Sequence, residues 1–307
     1  MRTLAKISSI SFLLFLGWEY SAAQANNTQV QTQPTPAQNN ASQPSVLSPN
    51  QPLDGAYKPE DRFVHRVVPP ANIREADVMW QTRIWRIIDT REKINQQLYY
   101  PEQQNGNRIS LFKLLKDALL EGEISAYAFN PVDWDDCERV RLTKTDVLAQ
   151  LSTTDTVTDE NGNPHVITNE ITADKVRGYM IKEDWIFEKQ RSVLDPRILW
   201  LCPRIVTINK NTGKEDDNSP PTSLFWINFA EIRPLLAKTP VFNQQNDAEW
   251  RTFDDIFWKR QFNSTIVQQS NIFNRSIPSY LKGIDALMKS DEMHDKIAAV
   301  EHDMWQY

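Results

Sequence analysis

Four segments between residues 165 and 229 are rich in β-branched and aromatic residues, and this region most constrains the fold. Such runs, separated by polar connections, predict β-strands. Helical patterns come before the region and return after it, through to the C-terminal segment that begins at Pro278. Helices grouped on either side of strands are typical of an α+β fold. We therefore predict a mostly antiparallel sheet at about 165–229, flanked by N- and C-terminal helices.

The beginning of the chain has the pattern of an export signal. A short positive region precedes an apolar run from Ile10 to Trp18, and small residues follow up to Ala23. The run is too short to span a bilayer, which takes roughly 20 residues. We predict a signal peptide at 1–23 and a protein outside the cytoplasm, without a transmembrane segment. A signal-anchor is the alternative.

The residues that follow the signal are polar and uncharged up to Asp54. A segment of Gln, Asn, Ser, Thr and Pro buries too little apolar surface to offset the entropy of ordering. We predict a disordered tether at 24–58 and a single α+β domain at 59–307. A polar stretch near 152–164 is the best candidate for a hinge or hairpin tip.

The segment MWQTRIWRIIDTREKIN contains two tryptophans, four isoleucines and three arginines within residues 79–95. Its apolar residues recur at helical spacing, so we predict a long helix from about 73 to 95. The apolar arc is wider than one packing face needs, which indicates packing on two sides. Acidic residues alternate with the arginines, as on a salt-bridged surface rather than a stripe that follows phosphates. The net charge of −6 likewise argues against nucleic acid as a partner.

The residue types that carry catalysis form one notable group, the acidic cluster DWDDCE at 133–138. Asp133, Asp135, Asp136 and Glu138 could bind a divalent cation or act as an acid/base pair, as in a periplasmic metal-dependent hydrolase. A solvated loop is the simpler interpretation. The four histidines lack the spacing of metal ligands. We therefore predict no catalytic, cofactor-binding or metal-binding residue.

Binding to other proteins is the remaining function class. Ten tryptophans in an acidic exported chain favour extensive protein contacts, because Trp, Tyr and Arg are enriched at interfaces. Tryptophans that fill the core are the alternative, and a glycan-binding module would need aromatic rings along a groove. The candidate interface residues are Trp80, Arg83, Trp85, Arg86, Phe225 and Trp226.

Several of these segments are similar to a known family. NIREADVMWQTRIWRIIDTREKINQQLYYP resembles the signature segment of the gliding motility family GldN, also called PorN. EDWIFEKQRSVLDPRI, LFWINFAEIRPLLAKTPVFN and TFDDIFWKRQFNSTIVQQSN follow in that family's order. The resemblance covers roughly residues 60–275.

The resemblance implies a periplasmic, non-enzymatic component of the type IX secretion system. Such a protein would form a ring with the outer-membrane lipoprotein GldK/PorK, associate with copies of itself, and contact the periplasmic domain of the motor protein GldM/PorM. The family leads us to expect a small or aliphatic residue in place of Cys202, and Cys137 is likewise unusual. The two cysteines are a candidate disulfide; two separate buried thiols are equally compatible with the sequence.

Overall fold

The computed structural model describes residues 66–105, 108–158, 164–207, 219–243 and 251–304, with backbone only at 153–158 and 164–169. The predicted signal peptide and tether lie outside the described residues. The strands are β1 (Val78–Asp89), β2 (Ala126–Ala128), β3 (Ser152–Thr158), β4 (Pro164–Glu170), β5 (Val176–Glu188), β6 (Val193–Ile205), β7 (Thr222–Ser223), β8 (Phe225–Asn228) and β9 (Thr265–Gln269). The helices are α1 (Gln96–Tyr99), α2 (Leu111–Glu121), α3 (Lys144–Leu151), α4 (Phe229–Leu236), α5 (Phe253–Trp258) and α6 (Ile284–Met304).

Seven strands of the described chain form one sheet, in the order β2-β8-β6-β5-β1-β9, with β7 also paired to β6. Each pairing in it is antiparallel. β5 and β6 are consecutive 13-residue strands, and β1 lies on the other side of β5. Helices occur before and after this sheet in the chain. The predicted α+β class with a mostly antiparallel sheet is therefore confirmed.

The predicted helix at 73–95 is wrong, because most of this segment forms β1 in the interior of the sheet. Ile84 and Ile88 contribute to cores on one face, whereas Trp85 and Ile87 contribute to a cluster on the other. A strand that is covered on both faces is apolar on both sides. That two-sided pattern produced the wide apolar arc from which the helix was predicted. The sheet consequently extends beyond 165–229.

The segment TFDDIFWKRQFNSTIVQQSN lies where we predict that helices return after the strands, and only its first part is helical. Thr252 caps α5 in a capping box with Asp255, but the helix ends at Trp258. Arg260 then adopts a left-handed conformation with φ of 52°, which a continuing helix does not permit. The chain continues into the edge strand β9, where the Ser290 hydroxyl accepts a hydrogen bond from the Ile266 amide at 2.8 Å. α6 thus covers part of a strand edge that would otherwise be open.

Local sequence signals explain where the helices α2 and α3 begin and where α2 ends. The Ser110 side chain accepts a hydrogen bond from the Lys113 amide at the start of α2, and Gly122 ends that helix in the left-handed region. Thr143 and Asp146 form the capping box that begins α3. Both helices bury apolar side chains in the main core.

The two faces of the sheet are covered differently. The main core joins α2, α4 and α5 to one face, with Phe112, Ile232 and Phe253 at most 2% exposed. The opposite face carries a smaller aromatic cluster beneath the loop 129–137. That loop therefore covers a face that would otherwise expose several tryptophans.

β3 and β4 form a separate two-stranded antiparallel sheet. Ser152 pairs with Glu170 and Thr158 pairs with Pro164, so the predicted polar region lies at the end of a hairpin. Residues 159–163 lie outside the described residues. A hinge near 152–164 stays a prediction.

Candidate functional site

The predicted interface residues of β1 lie on opposite faces of the sheet, because side chains alternate along a strand. Arg83 and Trp85 point to the face beneath the loop 129–137, whereas Trp80 and Arg86 point to the helical face. Of these four, Trp80 is partly exposed and the Arg83 side chain is 32% exposed. The set is therefore divided between two environments rather than forming one surface.

Trp85 and Trp226 are interior residues of the aromatic cluster. Trp85 is 2% exposed and Trp226 is fully buried, together with Trp200 and Met180. Phe225, on the other face, is 1% exposed and belongs to the main core. For these three predicted residues, contact with a partner would require the fold to open. Their burial matches the alternative in which tryptophans fill the core.

Arg86 contributes to a partly buried group of charges on the helical face. Its Nε donates to the Ser264 hydroxyl at 2.8 Å, and its guanidinium carbon lies 5.9 Å from the Trp185 ring. Arg260 lies 5.4 Å from the same ring and 2.9 Å from the carboxylate of Glu183, which is fully buried. Burial lowers the pKa of Arg86, although attraction to Glu183 opposes this change. These contacts hold β1, β5 and the segment before β9 together.

The loop 129–137 is fastened to the sheet by hydrogen bonds and ion pairs. The Trp85 indole donates to the Trp134 carbonyl at 3.2 Å. Arg83 pairs with Asp184 at 2.7 Å and with Asp135 at 2.8 Å. Lys182, only 5% exposed, pairs with Asp135 at 2.8 Å. Asp135 therefore joins the loop to two cations, one from β1 and one from β5.

The acidic cluster 133–138 is occupied by these structural contacts. Asp133 accepts hydrogen bonds from the Asn274 side chain at 2.9 Å and from the Asp135 amide at 3.0 Å. Asp136 pairs with Arg139 at 3.3 Å. Within the described residues, no group of three His, Cys, Asp or Glu side chains is arranged to hold a metal ion. The cluster is a loop anchor, and nothing in its geometry favours the hydrolase alternative.

Asp135→Asn should destabilise the fold in a pH-dependent manner. Burial raises the pKa of Asp135, but hydrogen bonds from Lys182 and Arg83 outweigh burial and leave the pKa below its ordinary value. The carboxylate therefore contributes stability that is complete above about pH 5 and disappears as the pH falls below about 4. We expect a loss of roughly 1 to 2 kcal/mol at pH 7, since the Asp135 side chain is 48% exposed and solvent screens its ion pairs. Urea unfolding at pH 7 and pH 3 measures the difference.

Asp136→Asn is the matched control for that substitution. Asp136 lies in the same loop, but its ion-pair partner Arg139 is 78% exposed, so the pair contributes little. An equal loss of stability in both variants would show that Asp135 has no special role in fastening the loop.

Both cysteines are buried, and both thiols are free in this structure. Cys137 and Cys202 belong to the same aromatic cluster, and Cys137 Sγ donates to the Trp134 carbonyl at 3.3 Å. Burial raises the pKa of Cys137 to about 11 and that of Cys202 to about 12, so neither thiol is ionised at neutral pH. Their pairing stays a prediction.

A run of exposed apolar side chains follows β9 along the chain and was not predicted from the sequence; it is here called the C-terminal patch. Six large side chains in the segment 272–288 are exposed by 47% or more. Ile284, Leu287 and Met288 have the spacing of one helical face, which was visible in the sequence. What the sequence did not reveal is that α6 packs through its other face, on which Ile297 is 3% exposed. The patch consists of Ile272, Phe273, Tyr280, Ile284, Leu287 and Met288.

Comparison with known proteins gives one clear match. A family model described as "Gliding motility associated protein GldN" matches residues 73–306, more than half of the chain. A search of curated proteins gave no match. In the part of the chain that the structure describes, no helix has both the length and the apolar character needed to cross a membrane.

Proposed function

The chain belongs to the GldN family of gliding motility associated proteins, and from that premise we propose that it is a structural subunit of the type IX secretion machinery. In this role it is periplasmic and non-enzymatic. It forms a ring with the outer-membrane lipoprotein GldK/PorK and couples that ring to the periplasmic domain of the motor protein GldM/PorM. Membership in the family makes it a component of the gliding and secretion machinery; the ring and its partners are our proposal.

The C-terminal patch is the observation that best supports a subunit held by protein contacts. Ile272 is 98% exposed, Phe273 71% and Ile284 75%, and they lie within one short segment. Isolated apolar residues on a surface need no explanation, but a group of large ones indicates a surface that another protein covers. A permanent assembly requires interfaces of this apolar kind.

Two residues of the predicted interface set, Trp80 and Arg83, are accessible enough to contact another protein. Trp80 is partly exposed, and the Arg83 side chain is 32% exposed on the polar surface near Asp135. A ring also needs contacts between identical subunits, and such contacts join two different surfaces of the same chain. The C-terminal patch and the surface around Arg83 are the two candidate surfaces for contacts with partners and between identical subunits.

Replacing Leu287 and Met288 with Asp should weaken assembly without unfolding the subunit. Both side chains are more than half exposed, so the monomer loses little when they become charged. Buried in an interface, two carboxylates would lack partners. We expect at least a tenfold loss of co-purification with the co-expressed lipoprotein, equivalent to about 1.4 kcal/mol or more. Circular dichroism and urea unfolding establish that the variant is folded.

Val132→Asp is the control for a new surface charge. Val132 is 85% exposed and lies in the loop 129–137, outside the patch. This variant should co-purify with the lipoprotein as the unmodified protein does. If the double variant also keeps its full amount of lipoprotein, the patch does not mediate this contact.

A further inference from the structure

α6 packs against the rest of the described chain along one side and is exposed along the other. Its buried residues are Ser290 and Ile297, which lie roughly two turns apart on the same side. The exposed residues of the opposite side recur at the spacing of one helical face, over roughly 21 Å of helix. We call this surface the α6 face, and it consists of Ile284, Leu287, Met288, Asp291, Asp295 and Ala298.

The character of the α6 face changes along the helix. Its first three residues are apolar and belong to the C-terminal patch, with Ile284 75% and Met288 65% exposed. Asp291 and Asp295 follow over the next two turns. A shallow groove of about 500 Å³ lies at this junction, lined by Met288, Asp291, Glu292, Asp295, Lys296 and Ala299. An apolar stripe therefore continues into an acidic one on the same exposed surface.

Within the part of the chain that the structure describes, Asp291 and Asp295 have no ion-pair or side-chain hydrogen-bond partner. The neighbouring lysines are already engaged, because Glu292 lies 2.7 Å from Lys289 and 2.6 Å from Lys296. The two aspartates are four residues apart, a spacing at which like charges on a helix repel each other. A positive charge brought by another protein would offset this repulsion.

The chemistry of the α6 face disfavours two other occupants. A second copy of the same face would bring Asp291 and Asp295 of one subunit close to the same residues of the other, because both lie near the middle of the face. Like charges in contact suppress such pairing. The same carboxylates repel an anionic lipid surface, which attracts lysine and arginine. The face is therefore complementary to a protein surface that is both apolar and basic.

We propose that the α6 face binds a basic amphipathic helix of the lipoprotein partner, an inference that rests on the proposed function and names the chemistry of that contact. The apolar stripe of the partner helix packs on Ile284, Leu287 and Met288, as helices do in apolar grooves. Its lysines or arginines reach Asp291 and Asp295. A helix fits this face because residues at this spacing form ridges that pack between those of a second helix.

Asp291→Lys combined with Asp295→Lys, here called the lysine variant, should reduce co-purification with the co-expressed lipoprotein by about tenfold or more. The new lysines would face the positive charges of the partner helix, and like charges in contact oppose binding. Glu121→Lys combined with Glu123→Lys is the matched control, because it makes the same change of charge at exposed residues at the end of α2. The control should co-purify as the unmodified protein does. Circular dichroism and urea unfolding establish that both variants are folded.

Comparison with Leu287→Asp combined with Met288→Asp separates the α6 proposal from the proposed role of the C-terminal patch. Loss of the lipoprotein in this patch variant and in the lysine variant supports both proposals. If only the patch variant loses it, the patch mediates the contact but its partner is not basic beside the aspartates, which overturns the α6 proposal alone. If only the lysine variant loses it, the contact does not need an apolar stripe, and the amphipathic helix is overturned. Retention in both variants overturns both proposals.

Two measurements on the protein without the lipoprotein test the other occupants. Size-exclusion chromatography with light scattering should give the same mass for the unmodified protein and the lysine variant. A smaller mass for the lysine variant would assign the α6 face to a second copy and overturn the proposal. Vesicles of phosphatidylcholine and phosphatidylglycerol should not sediment the unmodified protein through this face. Sedimentation that Leu287→Asp combined with Met288→Asp abolishes would assign the face to lipid and likewise overturn the proposal.

Discussion

Trp85→Ala should lower the free energy of unfolding by about 3 to 5 kcal/mol, the range for removing a large aromatic side chain from a core. Trp85 is 2% exposed and packs with Trp200, Trp226 and Met180. The substitution also removes the indole donor of the 3.2 Å hydrogen bond to the Trp134 carbonyl. Urea unfolding followed by circular dichroism measures the loss. Because Trp85 is buried, we expect this change to disturb folding more than assembly.

Trp258→Ala is the matched control, because it removes the same side chain from the surface. Trp258 is 52% exposed and lies over the Arg233 guanidinium at 4.9 Å. Arg233 is buried while the Trp258 ring is half exposed, so this cation–π contact contributes about 1 to 2 kcal/mol, and the variant should lose much less stability than Trp85→Ala. Similar losses in the two variants would mean that the cluster beneath the loop 129–137 does not stabilise the sheet.

Elements that depend on local chemistry were predictable from the sequence. Ser110 and Gly122 mark the ends of α2 through a side-chain cap and a left-handed residue, and both signals act within one turn. β5 and β6 were predictable because each is a long run of residues that favour strands. Their pairing with each other needs only a short turn. Fold class followed from the order of these segments.

β1 was not predictable in the same way, because its pattern is set by distant parts of the chain. Its partner β5 lies about a hundred residues away, with Trp85 opposite Lys182. A strand with apolar residues on both faces loses the alternation that identifies a half-buried strand. Its isoleucines and tryptophans nonetheless favour strands over helices. Giving more weight to that composition than to periodicity would have identified β1.

The candidate surfaces were the least predictable part. Trp226 and Trp258 are the same residue type, yet one is fully buried and the other is 52% exposed. Exposure depends on which face of an element the rest of the chain covers, and a single sequence does not contain that information directly.

Gly178→Ala should be among the most destabilising single-methyl changes in this protein, with a loss of about 3 kcal/mol or more. A Cβ atom at this position would lie 2.3 Å from the Ile88 carbonyl oxygen and 3.3 Å from its carbon. These are backbone atoms of the neighbouring strand, so no side chain can rotate away. β1 and β5 would have to separate beside the bulge, where hydrogen bonds join the interior of the sheet. The midpoint of urea unfolding should fall accordingly.

Gly122→Ala separates that steric effect from the general cost of replacing glycine. Gly122 has a φ of 84°, and a Cβ atom there would have nothing within 4 Å. Its cost is therefore the left-handed backbone alone, about 1 to 2 kcal/mol. Gly178 does not need a left-handed conformation, so its excess cost measures how closely β1 approaches β5. If Gly178→Ala is as stable as Gly122→Ala, the Ile88 carbonyl oxygen lies farther from the added Cβ atom than the 2.3 Å seen here.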